Sequence, residues 1–135
     1  MTIEEVLESL PNGLHDAYLR SINIDYAERT AELQLDIWIG DMSLDEEARE
    51  ARRQVLLKLS GLCYFVVEAP DPKYTFHEAK PLWIDAGGES PATEGSTKLP
   101  ETPEGAFTFW MFVHDWNAFI HVAAMQAAVE SSLRA

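Results

Sequence analysis

The stretch Pro11–Ile39, PNGLHDAYLRSINIDYAERTAELQLDIWI, decides the fold. In its second half, Ala31, Leu33, Leu35, Ile37 and Ile39 share one face, and Glu32, Gln34, Asp36 and Trp38 share the other. That period of two marks a half-buried antiparallel strand. The run before it, from Ala17 to Tyr26, alternates as well, but its apolar set changes face near Leu19–Arg20. Ala27–Thr30 joins the two runs with a polar connection of hairpin length. A turn carrying His15 and Asp16 opens the hairpin.

On the N-terminal side, residues 2 to 10, TIEEVLESL, read as a short amphipathic helix. Thr2 followed by Glu5 has the spacing of a capping box. Ile3, Val6, Leu7 and Leu10 form one apolar stripe. Pro11, Asn12 and Gly13 stop the helix, since Gly13 is free to take positive φ.

On the C-terminal side, Gly40–Arg53 is a charged connection with little apolar surface to bury. Gln54–Val67 is apolar and rich in strand formers, with Gly61 predicting a bulge or bend inside it. Pro70 and Pro72 end that run, because neither donates to a ladder. Leu82–Ala86 reads as a short strand, and Ala106–Val113 as the most apolar one. Between them, residues 89–105 carry prolines, glycines and polar residues and read as a flexible loop within one domain, residues 1–135. His114–Asn117 is a turn. The segment from Ala118 mixes strand and helix signals, and it is read as strand to about Met125 with its end left open. The expected fold is α+β: a mostly antiparallel, strongly curved sheet of about six strands with the N-terminal helix packed on it.

Composition narrows function. With 10 Lys+Arg against 23 Asp+Glu the net charge is -13, which disfavours nucleic acid, whose affinity rests on basic residues displacing counterions. The acidity serves solubility or a surface that meets a basic protein partner. No run reaches the roughly 18 apolar residues of a membrane span, and the acidic start lacks the basic region of a signal peptide, so the expected place is the cytoplasm. Cys63, the single cysteine, lies in an apolar run and reads as a buried small hydrophobe. Phosphate-binding glycine loops and nucleophile elbows are absent, and no cofactor is expected.

Four histidines remain: His15, His77, His114 and His121. Two stand in His-Asp doublets at predicted strand ends, His15-Asp16 before the first and His114-Asp115 after the fifth. If those ends meet, the doublets and the adjacent Trp116 form a binding site, with residue types that also suit a transition metal or acid–base work. Their spacing matches no zinc signature, so neither a metal nor a catalytic residue is assigned, and ordinary turn chemistry explains Asp16 and Asp115 as acceptors of backbone N–H groups. His121 reads as a satisfied sheet residue. Asp25 and Asp36 are candidates to oppose each other across the hairpin, and Glu68 and Asp85 stand at strand ends. Trp38, Trp83 and Trp110 are candidates to line a pocket.

The segments LHDAYLRSINIDYAERTAELQLDIW, LSGLCYFVVEAPDP, LWIDAG and HDWNAFIHVAA resemble small bacterial proteins of unknown function that open with an LHDA motif, here Leu14-His15-Asp16-Ala17. Some proteins of that general look are immunity proteins of toxin systems. The resemblance implies an antiparallel, non-enzymatic binding domain and supplies no catalytic residues. The leading expectation is thus an immunity-like binder of a basic protein, with acidic residues gathered on one face. A homodimer through an open edge strand is a further expectation. The alternative is a metal-dependent or acid–base enzyme, which requires His15 and His114 within about 5 Å of each other.

Overall fold

The computed structural model describes residues 1–41, 43, 45–76, 78–87 and 98–131. His77 and most of the segment expected as a flexible loop, 89–97, lie outside the described residues.

The chain opens with helix α1, Ile3–Ser9. Its capping box is formed: the Glu5 N–H donates to Thr2 Oγ1 at 3.2 Å and the Thr2 N–H to Glu5 Oε1 at 3.3 Å. Ile3 and Val6 are fully buried. The hairpin of β1, Ala17–Asp25, and β2, Thr30–Trp38, follows. Asp25 Oδ1 accepts the Glu28 N–H at 3.0 Å in its turn. The change of apolar face near Leu19–Arg20 is a β-bulge: Leu19 pairs with Leu35 and Ser21 with Gln34, leaving Arg20 unmatched. The extra residue keeps Leu19 and Ile22, three positions apart, on the same apolar side.

Helix α2, Glu46–Arg49, lies in the charged connection. Six strands follow: β3, Arg52–Ser60; β4, Tyr64–Val67; β5, Leu82–Gly87; β6, Phe107–Val113; β7, Ala118–Ala124; and β8, Gln126–Ser131. All pair antiparallel, in the order β4-β7-β6-β5-β1-β2-β3-β8. The sheet therefore has eight strands rather than about six, and it is open rather than strongly curled or closed. The difference in count arises at one corner. The apolar run 54–67 breaks at Gly61, and the run from Ala118 breaks at Met125, so two long strands become four. Gly61 adopts φ 61°, and the Met125 N–H donates to the carbonyls of Ser60 at 3.1 Å and Gly61 at 3.2 Å. On one side of this corner β3 pairs with β8; on the other, β4 pairs with β7.

The apolar face carries the core. Leu33, Leu35 and Ile37 of β2, Val55, Leu57 and Leu59 of β3, Phe109, Met111 and Val113 of β6, and Ile120 and Val122 of β7 are buried. Burying each such side chain contributes on the order of 1.5–3 kcal/mol. Helix α1 lies on this face and touches β6 and β8. The alternate positions, among them Tyr18, Trp38, Trp83, Asp85, Trp110, Phe112, His114 and Phe119, form the outer face. Away from the Gly61–Met125 corner, the two halves of the sheet join where β1 pairs with β5, over Ala17–Ile84, Tyr18–Trp83 and Leu19–Leu82.

The corner yields a graded test. A Cβ on Gly61 would sit 2.6 Å from Met125 Cγ, whereas on Gly13, φ 55°, the nearest contact is 3.7 Å. Gly13→Ala should cost only the left-handed strain, about 1–2 kcal/mol. Gly61→Ala should cost that and roughly 1–3 kcal/mol more for displacing Met125. Urea denaturation of both variants measures the difference, and equal losses would show the corner to be loosely packed.

Candidate functional site

Three strand ends meet at the β1–β5 seam. The turn 11–16 brings His15 and Asp16 to the start of β1; its chain reversal is held by the His15 N–H on the Asn12 carbonyl at 3.1 Å. Asp16 takes φ 52°, a left-handed conformation that aspartate tolerates better than most residues. Pairing of Ala17 with Ile84 then sets Asp16 beside Asp85. Pairing of Ile84 with Val113 brings His114, the residue after β6, to the same carboxylate.

Asp85 is the centre of the cluster. Its Oδ1 accepts from His15 Nδ1 at 2.7 Å and from the Asp16 backbone N–H at 3.0 Å. Its Oδ2 accepts from His114 Nε2 at 2.6 Å. Partial burial works to raise its pKa, but the Asp16 N–H, His114 and His15 outweigh it and hold the carboxyl below the usual 3.8. Asp85 is thus an anion clamped by donors from two other strand ends. The 2.6 and 2.7 Å separations are those of charge-assisted hydrogen bonds; two donors on one metal ion would stand farther apart.

Around this centre the other groups hold position. Trp83 donates its indole N–H to Asp16 Oδ1 at 2.9 Å and stacks on His114 with ring centroids 3.9 Å apart. Asp115 Oδ2 accepts the Trp83 backbone N–H at 2.8 Å, and Lys80 Nζ lies 3.6 Å from its other oxygen. Arg52 donates to the Asp16 carbonyl and places its guanidinium over the Tyr18 ring at 4.5 Å. The second oxygen of Asp16, Oδ2, stands 3.3 Å from His15 Nε2.

Of the residues picked from the sequence, His15, Asp16 and His114 converge, with Asp85 as the group that joins them. Asp115 supports the site through Trp83, across strands rather than within its own turn. Asp16 uses its carboxylate on an indole and an imidazole, not on backbone N–H groups. Trp116 packs against the core, its indole nitrogen buried without a protein partner, and its carbonyl accepts the Asp71 N–H at 2.8 Å. In the sequence Asp85 reads only as a strand-end carboxylate and Trp83 only as a pocket candidate. Two His-Asp doublets at strand ends are the signal that a shared acceptor was needed.

Other expectations need correction. The hairpin register sets Asp25 opposite Thr30 and Asp36 opposite Tyr18, so these carboxylates do not face each other. Asp36 instead binds Arg20 Nε at 2.8 Å. The three tryptophans do not line one pocket. Trp110, Phe112, Phe119 and Asp85 line a shallow depression of about 330 Å³, while Trp38 turns its indole N–H to the Arg49 carbonyl at 2.6 Å. His121, only 1% exposed, meets Glu68 Oε2 through Nε2 at 3.1 Å, but its Nδ1 has no partner, so it is only half satisfied. Exposed acids stand on α1 (Glu4, Glu5, Glu8), at the hairpin turn (Asp25, Glu28) and in the 41–50 connection, on three separate elements of the chain.

No family model, curated protein or solved structure matches this chain.

The clamp on Asp85 has a pH signature. Its folded pKa lies below 3.8, so its contribution to stability is present above the unfolded value and is lost as pH falls through the folded one. Asp85→Asn should therefore lower the urea midpoint at pH values above 3.8, and the gap to the parent should close as pH falls through the folded pKa. A ¹³C titration of the Asp85 carboxyl should place its midpoint below 3.8. A midpoint at or above that value would mean that the histidines do not hold the anion.

Proposed function

We propose that the chain is a non-enzymatic interaction domain that binds a basic protein partner through the outer face of its sheet. Asp85 receives a lysine or arginine side chain of that partner. The observation that carries this reading is the anionic Asp85 at the rim of the open depression floored by Trp110, Phe112 and Phe119. A carboxylate has about four acceptor positions, and three are taken, which leaves one for an incoming donor. The ring faces beside it suit a guanidinium through cation–π contact. Arginine and aromatic residues are also the groups that dominate interface energetics. The local anion, not the net charge, supports the reading. An immunity-like role, in which the partner is a toxin with a basic surface, is the biological form suggested by the LHDA resemblance.

A second reading draws on the chain His15–Asp85–His114. A carboxylate that orients an imidazole is also the arrangement of acid–base catalysis, with His114 or His15 as the base. The two readings share Asp85 and differ in what occupies the depression: a cationic side chain or a substrate that is turned over.

Titration of the ¹⁵N-labelled chain with a short arginine-containing peptide, and with the same peptide carrying citrulline, tests the first reading. Shifts should centre on Asp85, Trp110 and Phe119 with arginine. They should weaken at least about tenfold with citrulline, in Asp85→Asn and in Trp110→Ala, as loss of a charge-assisted contact requires. Equal response to both peptides, or shifts confined to other surfaces, would sink the proposal.

A further inference from the structure

We infer that His15 Nε2 and Asp16 Oδ2 are two ligands of a divalent transition-metal site, of which zinc is the simplest occupant. This does not depend on the partner proposed above.

The argument begins with the proton on His15. Nδ1 lies 2.7 Å from the ionised Asp85 Oδ1, which can only accept, so Nδ1 carries the proton. In the neutral ring that leaves the lone pair on Nε2. Nε2 faces Asp16 Oδ2 at 3.3 Å. Nε2 and Oδ2 are both metal-ligating atoms, and their separation is close to that of two ligands on one tetrahedral ion, which at bond lengths of about 2.0–2.2 Å stand roughly 3.3 Å apart.

Both ligands are oriented from behind. Asp85 on Nδ1 makes a carboxylate–histidine pair that fixes the tautomer and raises the basicity of Nε2. The Trp83 indole N–H holds Asp16 Oδ1 at 2.9 Å, which leaves Oδ2 toward the imidazole. His15, Asp16 and Asp85 each offer an atom within 4.8 Å of the others. The His15 side chain is 63% exposed, so water can complete the coordination. His114 is excluded as a ligand through Nε2, which is spent on Asp85 Oδ2 at 2.6 Å. One imidazole nitrogen and one carboxylate oxygen favour zinc, copper or nickel over magnesium or calcium.

The test is titration of the untagged, full-length chain with ZnCl₂, followed by calorimetry and by the ¹⁵N shifts of the histidine rings. The expected result is one saturable ion per chain, with a shift at His15 Nε2 and none at His114 Nε2, and with no competition from excess magnesium. His15→Gln should abolish binding, and His15 is exposed enough for that variant to fold. Asp16→Asn should weaken it at least tenfold. Asp85→Asn should weaken it about 10–100-fold by releasing the ring, as loss of an outer partner does. Circular dichroism checks each variant, and if Asp16→Asn does not fold, His15→Gln and the ring shifts decide alone. Zinc binding that survives His15→Gln, or no saturation up to about 1 mM, the weak limit of specific binding, would overturn the proposal.

Discussion

One carboxylate reinforces the thinnest pairing in the sheet. β1 meets β5 over three residue pairs, fewer than the other neighbouring strands share. The two four-stranded halves meet there and at the Gly61–Met125 corner, where the Met125 N–H reaches the Ser60 and Gly61 carbonyls. The Asp85 carboxylate crosses the β1–β5 seam. It takes donors from the turn before β1 and from the residue after β6, so three chain segments share one anion. Trp83, anchored by Asp115 and bonded to Asp16, spans the same seam. A hydrogen bond to a charged group contributes about 1.5–3 kcal/mol, more than a neutral one, which is why a clamp built on a carboxylate suits a place with little backbone pairing.

The same economy explains why the site and the seam coincide. The anion has to be partly open to be useful to a ligand, yet it has to be held firmly to stitch the halves together. Donors on three sides meet both demands: they stabilise the charge and leave its remaining acceptor position toward the aromatic depression. Function proposed at this point therefore rests on groups that already have structural work. Substitutions at Asp85 will move stability and binding together.

Much of the fold was legible because it rests on local periodicity. The alternation from Ala31 to Ile39, the capping box of Thr2 and Glu5, and the change of face at Leu19–Arg20 all appear in the structure, the last as a bulge. The number of strands was only partly legible: Gly61 marked a bend in one run, but at Met125 the inward set shifts from Ile120, Val122 and Ala124 to Ala127 and Val129, where strand and helix signals mix. Asp25 and Asp36 were misjudged because the tight turn over residues 26–29, not the spacing of charges, fixes the register. The doublets His15-Asp16 and His114-Asp115 marked the right strand ends. Asp85 was harder to see: within LWIDA a carboxylate looks like any strand-end residue, and its partners lie 70 and 29 positions away in the chain.

The corner at Gly61 and Met125 also governs the order of assembly. The β1–β2 hairpin closes locally, but β3 finds its second neighbour only in β8, with Val55 opposite Ser131. Loop-closure entropy makes such distant pairings slow. During synthesis β3 stands as a bare edge until residues 126–131 leave the ribosome. Its Arg52, Arg53 and Lys58 are exposed on that strand, and charges at an unpaired edge discourage the wrong neighbours. Three of the ten basic residues of this acidic chain thus stand on the strand whose second partner comes last.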